Sequence, residues 1–276
     1  MEITVYLFLW LFLLAFVCEF IDASMGMGYG TILSPVLIIM GFDPVVAVPA
    51  ILLSQAFGGL TASIFHQQFE NVNFNRKSND LKVVFIIVGF GIIATIIAVC
   101  IAVNIPKTAI KTYIGILVIV MGALLLMNKT FRFSWGKMSV VGIVSAFNKA
   151  ISGGGFGPVV TGGQLVSGQK ATNAVGITTL AEAPICIIAF LTYLILRVVK
   201  EIDVSILEMP VSKFFPLFFS SDLIQWELLL ALLLGSVIVA PFAAFTTKLT
   251  KNKLRHIVGT IIIVLGVWTL YKTFCI

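Results

Sequence analysis

Long apolar runs separated by short polar gaps organise the chain. They extend approximately from Ile3 to Ile21, Ile32 to Met40, Val45 to Phe65, Val83 to Val103 and Tyr113 to Met127. A second series covers Val140 to Ala150, Val159 to Val166, Ala171 to Leu196, Glu227 to Phe245 and Ile257 to Tyr271. About 20 apolar residues carry a helix across the bilayer core. Runs such as Ile86 to Ile101 lack the period-2 alternation of barrel strands. The pattern predicts an all-α polytopic membrane protein with one transmembrane domain over residues 1–276. The start, Met1-Glu2 and then an apolar run to Ile21, has no basic leader or small-residue cleavage site, and is expected to be a retained first helix.

The two series are related. Phe20 to Leu53 aligns without gaps on Phe147 to Leu180 at a constant offset of 127, pairing Ala23 with Ala150, Gly26 with Gly153, Gly28 with Gly155, Gly30 with Gly157 and Gly41 with Gly168. The last segments align at an offset of 144, pairing Gly115 with Gly259 and Gly122 with Gly266. Two repeats follow, about 1–127 and about 128–276, and the offset grows by 17 because of an inserted loop near 197–225.

Composition narrows the class. Hydrophobic residues make up 59% and charged residues 11%, with mean hydropathy +1.11, whereas soluble domains carry about 25% charge. The net charge of +6 resides in the short gaps, as membrane topology requires, which argues against a nucleic-acid partner. Lys248, Lys251, Lys253 and Arg255 mark a cytoplasmic loop. From there the 197–225 loop falls outside, Lys129, Arg132 and Lys137 inside, Lys107 and Lys111 outside, and Arg76 and Lys77 inside, giving ten basic residues inside and six outside. The halves then have inverted topology, a common transporter architecture. The sequon Asn128-Lys-Thr130 falls on the inside and should stay unmodified. Cys18, Cys100, Cys186 and Cys275 lie in apolar runs without a C-x-x-C pair and read as buried membrane thiols.

Candidate chemistry concentrates at two glycine-rich breaks, Asp22-Ala-Ser-Met-Gly26-Met-Gly28-Tyr29-Gly30 and Lys149-Ala-Ile-Ser152-Gly153-Gly154-Gly155-Phe156-Gly157-Pro158. Each glycine costs a helix interior about 1 kcal/mol, so continuous helix is not expected. Broken backbone near the membrane midplane must face protein or a wet cavity, as glycine-broken or re-entrant helices do. Pro158 suits a first helical turn, so a short helix is expected just after Gly157 and another near Thr31. Free N–H groups at such starts favour an anion, and glycine permits close approach. Close helix packing through small residues is the alternative. The glycine spacing lacks the βαβ context of a dinucleotide site.

Asp22 and Lys149 occupy equivalent positions before the breaks. Lys149 can attract an anion, while Asp22 can relay protons or neutralise Lys149; a structural ion pair joining the halves is the alternative. Gln55 and Glu182 also align, and Glu182, beside Pro184, can gate or take up a proton, or stand as a satisfied structural carboxyl. Ser54, Asn148, Ser152, Asn173, Thr178 and Thr179 are secondary polar candidates, and His66, at a helix end, reads as interfacial. With His66 and His256 as the two histidines, no metal motif or cofactor is expected.

The segments Phe20-Ile-Asp-Ala-Ser-Met-Gly-Met-Gly-Tyr-Gly30, Gly41-Phe-Asp-Pro44 and Ser152-Gly-Gly-Gly-Phe-Gly-Pro158 resemble the TauE/SafE family. The resemblance covers nearly the whole chain and implies transport of small sulfur-containing anions such as sulfite, thiosulfate or organosulfonates. The first motif departs from the family's run of adjacent glycines, since Met27 and Tyr29 alternate with Gly26, Gly28 and Gly30. The expectation is a secondary transporter, not an enzyme, working by alternating access in a prokaryotic plasma membrane. Its expected partners are a small anion, the lipid bilayer and a second copy of the chain. A passive anion channel and an intramembrane sulfur-handling enzyme or partner remain the competing classes, although no nucleophile, metal motif or redox cysteine stands at the breaks.

Overall fold

The computed structural model describes residues 3–126, 134–166, 168–202, 224–249 and 252–275. Among these there are ten α-helices, a 3-10 turn at Thr247–Leu249 and no strand. The helices are α1 (Val5–Met25), α2 (Tyr29–Met40), α3 (Pro44–Gln68), α4 (Asn79–Ala102), α5 (Lys107–Leu126), α6 (Trp135–Ser152), α7 (Phe156–Val166), α8 (Ala171–Ile202), α9 (Trp226–Thr246) and α10 (Asn252–Cys275). All except α2, α6 and α7 are long and apolar enough to cross a membrane.

Local chemistry sets several boundaries. The side chains of Thr4, Asp43 and Ser78 accept from Leu7 N, Val45 N and Leu81 N at the starts of α1, α3 and α4, and Pro44 occupies the first position of α3. The outer surface carries large apolar side chains such as Trp10, Phe85, Val264, Trp268 and Phe274, the composition suited to lipid. Several interior contacts use glycine, as at Gly91, Gly142 and Gly235, which lets the helices approach closely.

Hydrogen bonds between helix ends fix the direction of travel. At one end Lys248 Nζ donates to Phe69 O at 2.9 Å, Asn71 Nδ2 to Ala244 O at 2.8 Å and Asn173 Nδ2 to Asp80 Oδ2 at 2.8 Å. At the other, Arg197 donates to Val45 O at 3.0 Å, Lys200 to Val103 O at 2.5 Å and Lys272 to Ile39 O at 2.5 Å, while Lys107 pairs with Asp43. The loops expected on a common side thus share an end wherever both are described. The expected loop at Arg197 is corrected here: α8 continues to Ile202, with Arg197 and Lys200 bonding carbonyls at neighbouring helix ends.

Helix α1 runs parallel to α9, because Gly235 lies against Phe12 and Ala15 while Thr247 Oγ1 reaches Ala23 O at 3.4 Å. It therefore starts at the Lys107 end, where α2 finishes. Helix α6 runs parallel to α4, with Gly142 against Ile87 and Gly91 against Ala146. It starts at the Lys248 end, where α7 hands over to α8. The two broken segments are hairpins entering from opposite ends and meeting inside the bundle.

Equivalent glycines also meet reciprocally. A Cβ on Gly115 would lie 3.3 Å from Gly266 O, and one on Gly259 would lie 3.2 Å from Gly122 O, so α5 and α10 pack antiparallel. These contacts are compatible with inverted repeats. Lys129, Arg132, Lys251, the sequon at Asn128 and residues 203–223 of the insertion lie outside the described residues.

Candidate functional site

Each break is made in the same way. Gly26 and Gly153 end α1 and α6 in the left-handed conformation, both at φ 73°, with their N–H groups bonded to Asp22 O at 2.5 Å and Lys149 O at 2.8 Å. Two residues later Gly28 and Gly155 take φ 145° and 79°. Side-chain-bearing residues are strained there, which is why both repeats place glycine at both positions. The helices resume at Tyr29 and Phe156, slightly earlier than the expected starts near Thr31 and after Gly157. Pro158 thereby falls within the first turn of α7.

The breaks cross in direct backbone contact. A Cβ on Gly30 would collide with Gly153 O and lie 3.0 Å from Gly154 Cα; one on Gly157 would collide with Gly26 O and lie 2.7 Å from Met27 Cα. The opposite hairpins are stitched by hydroxyls at corresponding positions. Ser34 Oγ donates to Ser152 O at 2.6 Å, and Thr161 Oγ1 donates to Gly26 O at 2.7 Å. Gly155 N donates to Thr31 Oγ1 at 3.2 Å, and Gly154 N to Ser152 Oγ at 3.0 Å.

Beside this crossing the two halves use the same pair of positions with different chemistry. In the first, Asp22 Oδ1 accepts from Tyr29 N and Oδ2 from Gln55 Nε2, both at 3.0 Å. A carboxylate of the chain therefore already occupies the positive end of α2. In the second, Lys149 Nζ pairs with Glu182 Oε1 at 2.7 Å, and both residues are buried. The alternative reading, an ion pair between Asp22 and Lys149, is not the pairing that forms. The ion pair joins α6 to α8 as Asp22 and Gln55 join α1 to α3, because the residue before each break faces the helix that follows the hairpin.

Asp22, Gly26, Gly28, Tyr29, Gly30, Thr31, Gln55, Lys149, Ser152, Gly153, Gly154, Gly155, Phe156, Gly157 and Glu182 are all buried. Of the secondary candidates, Ser54 Oγ lies 2.7 Å from Tyr29 Oη and Asn148 Oδ1 accepts from Tyr113 Oη at 2.6 Å, so both join the region. Thr178 Oγ1 is 2.7 Å from Thr161 Oγ1, whereas Thr179 bonds Gly176 O on its own helix. Asn173 is held at the Lys248 end by Asp80, away from the breaks. His66, at the end of α3, is covered by protein, with Nδ1 3.0 Å from Asn71 Nδ2. Cys18 and Cys186 are buried, but Cys100 and Cys275 are exposed on the outer surface.

Sequence reasoning missed Ser34, Thr161, Ser236 and Glu19. Ser236 Oγ donates to Ser54 O at 3.0 Å, joining α9 to the same region. Glu19 was legible only as an acid inside an apolar run, the signal that marks intramembrane function. A cavity of about 350 Å³ opens at the Lys107 end, lined by Val45, Val103, Lys107, Arg197 and Lys200, rather than at the crossing.

A family model described as Sulfite exporter TauE/SafE matches residues 11–269. The chain belongs to the TauE/SafE family. A curated relative of this TauE/SafE protein, the Probable membrane transporter protein YtnM of Bacillus subtilis (strain 168), is 25% identical over 265 residues, covering 91% of this chain and 79% of that protein. No solved structure matches the TauE/SafE chain. Family and relative agree with the apolar helices: this is a multi-pass membrane transport protein.

Proposed function

We propose that the protein is a secondary transporter of a small sulfur oxyanion or organosulfonate in the cytoplasmic membrane. The anion binds at the start of α7, with Phe156 and Gly157 supplying backbone, Gly155 N exchanging Thr31 Oγ1 for the anion, and Lys149 supplying charge. The observation that carries this reading is the asymmetry of the paired breaks. Asp22 satisfies the start of α2 at 3.0 Å, whereas the equivalent position before α7 is Lys149. A helix start favours negative charge, so the start lacking a built-in carboxylate is the one suited to an external anion.

Lys149 is held by Glu182 in the described state. An incoming oxyanion would compete with Glu182 for the ammonium, linking substrate binding to movement of α8 against α6. The closed backbone crossing fits alternating exposure better than an open pore, since Gly30 and Gly157 leave no side-chain space between the hairpins. The basic cavity at the Lys107 end offers an entrance that concentrates anions.

The test is uptake of radiolabelled sulfite, thiosulfate and sulfate into proteoliposomes. Saturable flux of at least one sulfur anion, with exchange for internal anion, supports the reading. Gly155→Val should abolish flux while the protein still inserts. Undiminished flux in that variant, or non-saturable flux in the wild type, refutes it.

A further inference from the structure

The transport reading leaves one buried ionisable group unused. Glu19 lies on α1 one helical turn before Asp22, is 0% exposed, and has no hydrogen-bond partner for either carboxyl oxygen. We propose that Glu19 is a proton-binding site, and that its loading and release couple anion movement to the proton gradient. The coupling role rests on the transport reading above, while the proton assignment stands on local geometry.

Glu19 sits at the junction of α1, α3 and α9. A Cβ on Gly58 of α3 would lie 3.1 Å from Glu19 Cδ and Oε1, and 2.9 Å from Ser236 Cβ of α9. Glycine at position 58 therefore leaves room for the carboxyl against α3. Ser236 Oγ donates to the carbonyls of Ser54 and Leu233, both at 3.0 Å, so its hydroxyl proton is already committed. The ionisable groups whose charge reaches Glu19 are Cys18 and Asp22 on its own helix, Tyr29 on α2, Lys149 on α6, and Glu182 and Cys186 on α8. From α3 and α9 the neighbours are the neutral Gly58 and Ser236.

The one cation in this set, Lys149, is engaged by Glu182 at 2.7 Å. An ionised carboxylate without a partner in an apolar interior costs far more than protonating it, so the group is neutral while enclosed. A metal cation is a poor alternative. Hard cations take roughly six or more oxygens, and no group of three or more His, Cys, Asp or Glu converges among the described residues.

Release requires water. When the α1, α3 and α9 junction opens, the carboxylic O–H bond breaks, the proton passes to water, and its electron pair stays on the carboxylate. The new negative charge then stands beside Asp22, which holds the start of α2 through Tyr29 N and the middle of α3 through Gln55 Nε2. Repulsion between the two carboxylates pushes on the contacts that set the first break. The equivalent of Glu19 in the second half is Ala146, so the device exists in one half alone.

The experiment uses the full-length protein and two readouts. In infrared difference spectra, the wild type should show the carbonyl stretch of a protonated carboxylic acid that Glu19→Gln lacks. In sodium-free proteoliposomes, Glu19→Gln should keep wild-type anion exchange but lose stimulation by a pH gradient, and Glu19→Asp should regain part of it. An unchanged carbonyl band in Glu19→Gln, stimulation that survives the substitution, or drive that requires sodium each overturns the proposal. Wild-type protein that moves neither the three anions nor a small organosulfonate overturns the transport reading, and with it the coupling role; the infrared band then decides the proton assignment alone.

Discussion

Removing Lys149 separates its structural contribution from its proposed role toward an anion. The Lys149 to Glu182 pair is 2.7 Å long, and both side chains are almost fully enclosed, so solvent screening does little to weaken it. Truncating one partner leaves the other as an uncompensated buried charge, which costs about 3–5 kcal/mol. Lys149→Met alone and Glu182→Gln alone should each lose about that much. The double variant Lys149→Met with Glu182→Gln removes both charges and should recover most of the loss, so the two single losses should exceed the double by at least about 3 kcal/mol.

Unfolding of each variant by titration with a denaturing detergent, followed by tryptophan fluorescence, gives the cycle. Anion uptake is measured on the same preparations. The double variant should fold close to wild type and still transport nothing, because the anion has lost its cation. Additive single losses would falsify the structural argument. Recovery of uptake together with stability would remove Lys149 from the binding site and leave it as an internal fastener.

Further consequences concern the crossing, the periphery and the topology. Gly30→Ala places a methyl group on the backbone of Gly153 and should cost about 1–3 kcal/mol in the same unfolding assay, with uptake lost. Asp22→Ala strands two buried donors, Tyr29 N and Gln55 Nε2, at about 1–3 kcal/mol each, whereas Asp22→Asn keeps an acceptor for Tyr29 N and should be milder. Gly122→Ala brings a methyl group within 2.6 Å of Ile263 Cγ1 and 2.7 Å of Gly259 O. It should loosen α5 from α10 by about 1–3 kcal/mol while the folded fraction keeps its apparent KM for the anion. Impermeant thiol labelling of Lys248→Cys and Lys107→Cys, in a background with Cys100 and Cys275 replaced, should mark opposite faces of the membrane. Labelling from the same face would overturn the direction of the helices.

Much of the fold was legible because membrane burial imposes coarse, one-dimensional constraints. A run near 20 apolar residues must be a helix, since no water satisfies its backbone at that depth. Glycines recurring at the same offset mark where that rule is broken. The breaks at Gly26 and Gly153, their shared conformation, and the pairing of position 22 with 149 and of 55 with 182 all follow from the residues in order.

Partner choice required the tertiary structure. Alignment made Asp22 and Lys149 equivalent, and opposite charges invited a bond between them, yet Asp22 reaches α3 and Lys149 reaches α8. The reason is geometric: hairpins entering from opposite ends cross at the glycine backbones, which leaves the preceding turns of α1 and α6 facing α3 and α8. His66 shows the same limit, since the sequence placed it at a helix end but only the packing decided that Asn71 would stand beside its ring. Glu19 stands furthest from the one-dimensional code. The sequence placed an acid in the membrane, but only the packing of α1 against Gly58 and Ser236 decided that its carboxyl would be enclosed without a partner. Hydrophobicity along the chain determines which segments are buried in lipid, whereas the contacts of a buried charge depend on helices distant in sequence, and those are chosen by three-dimensional packing.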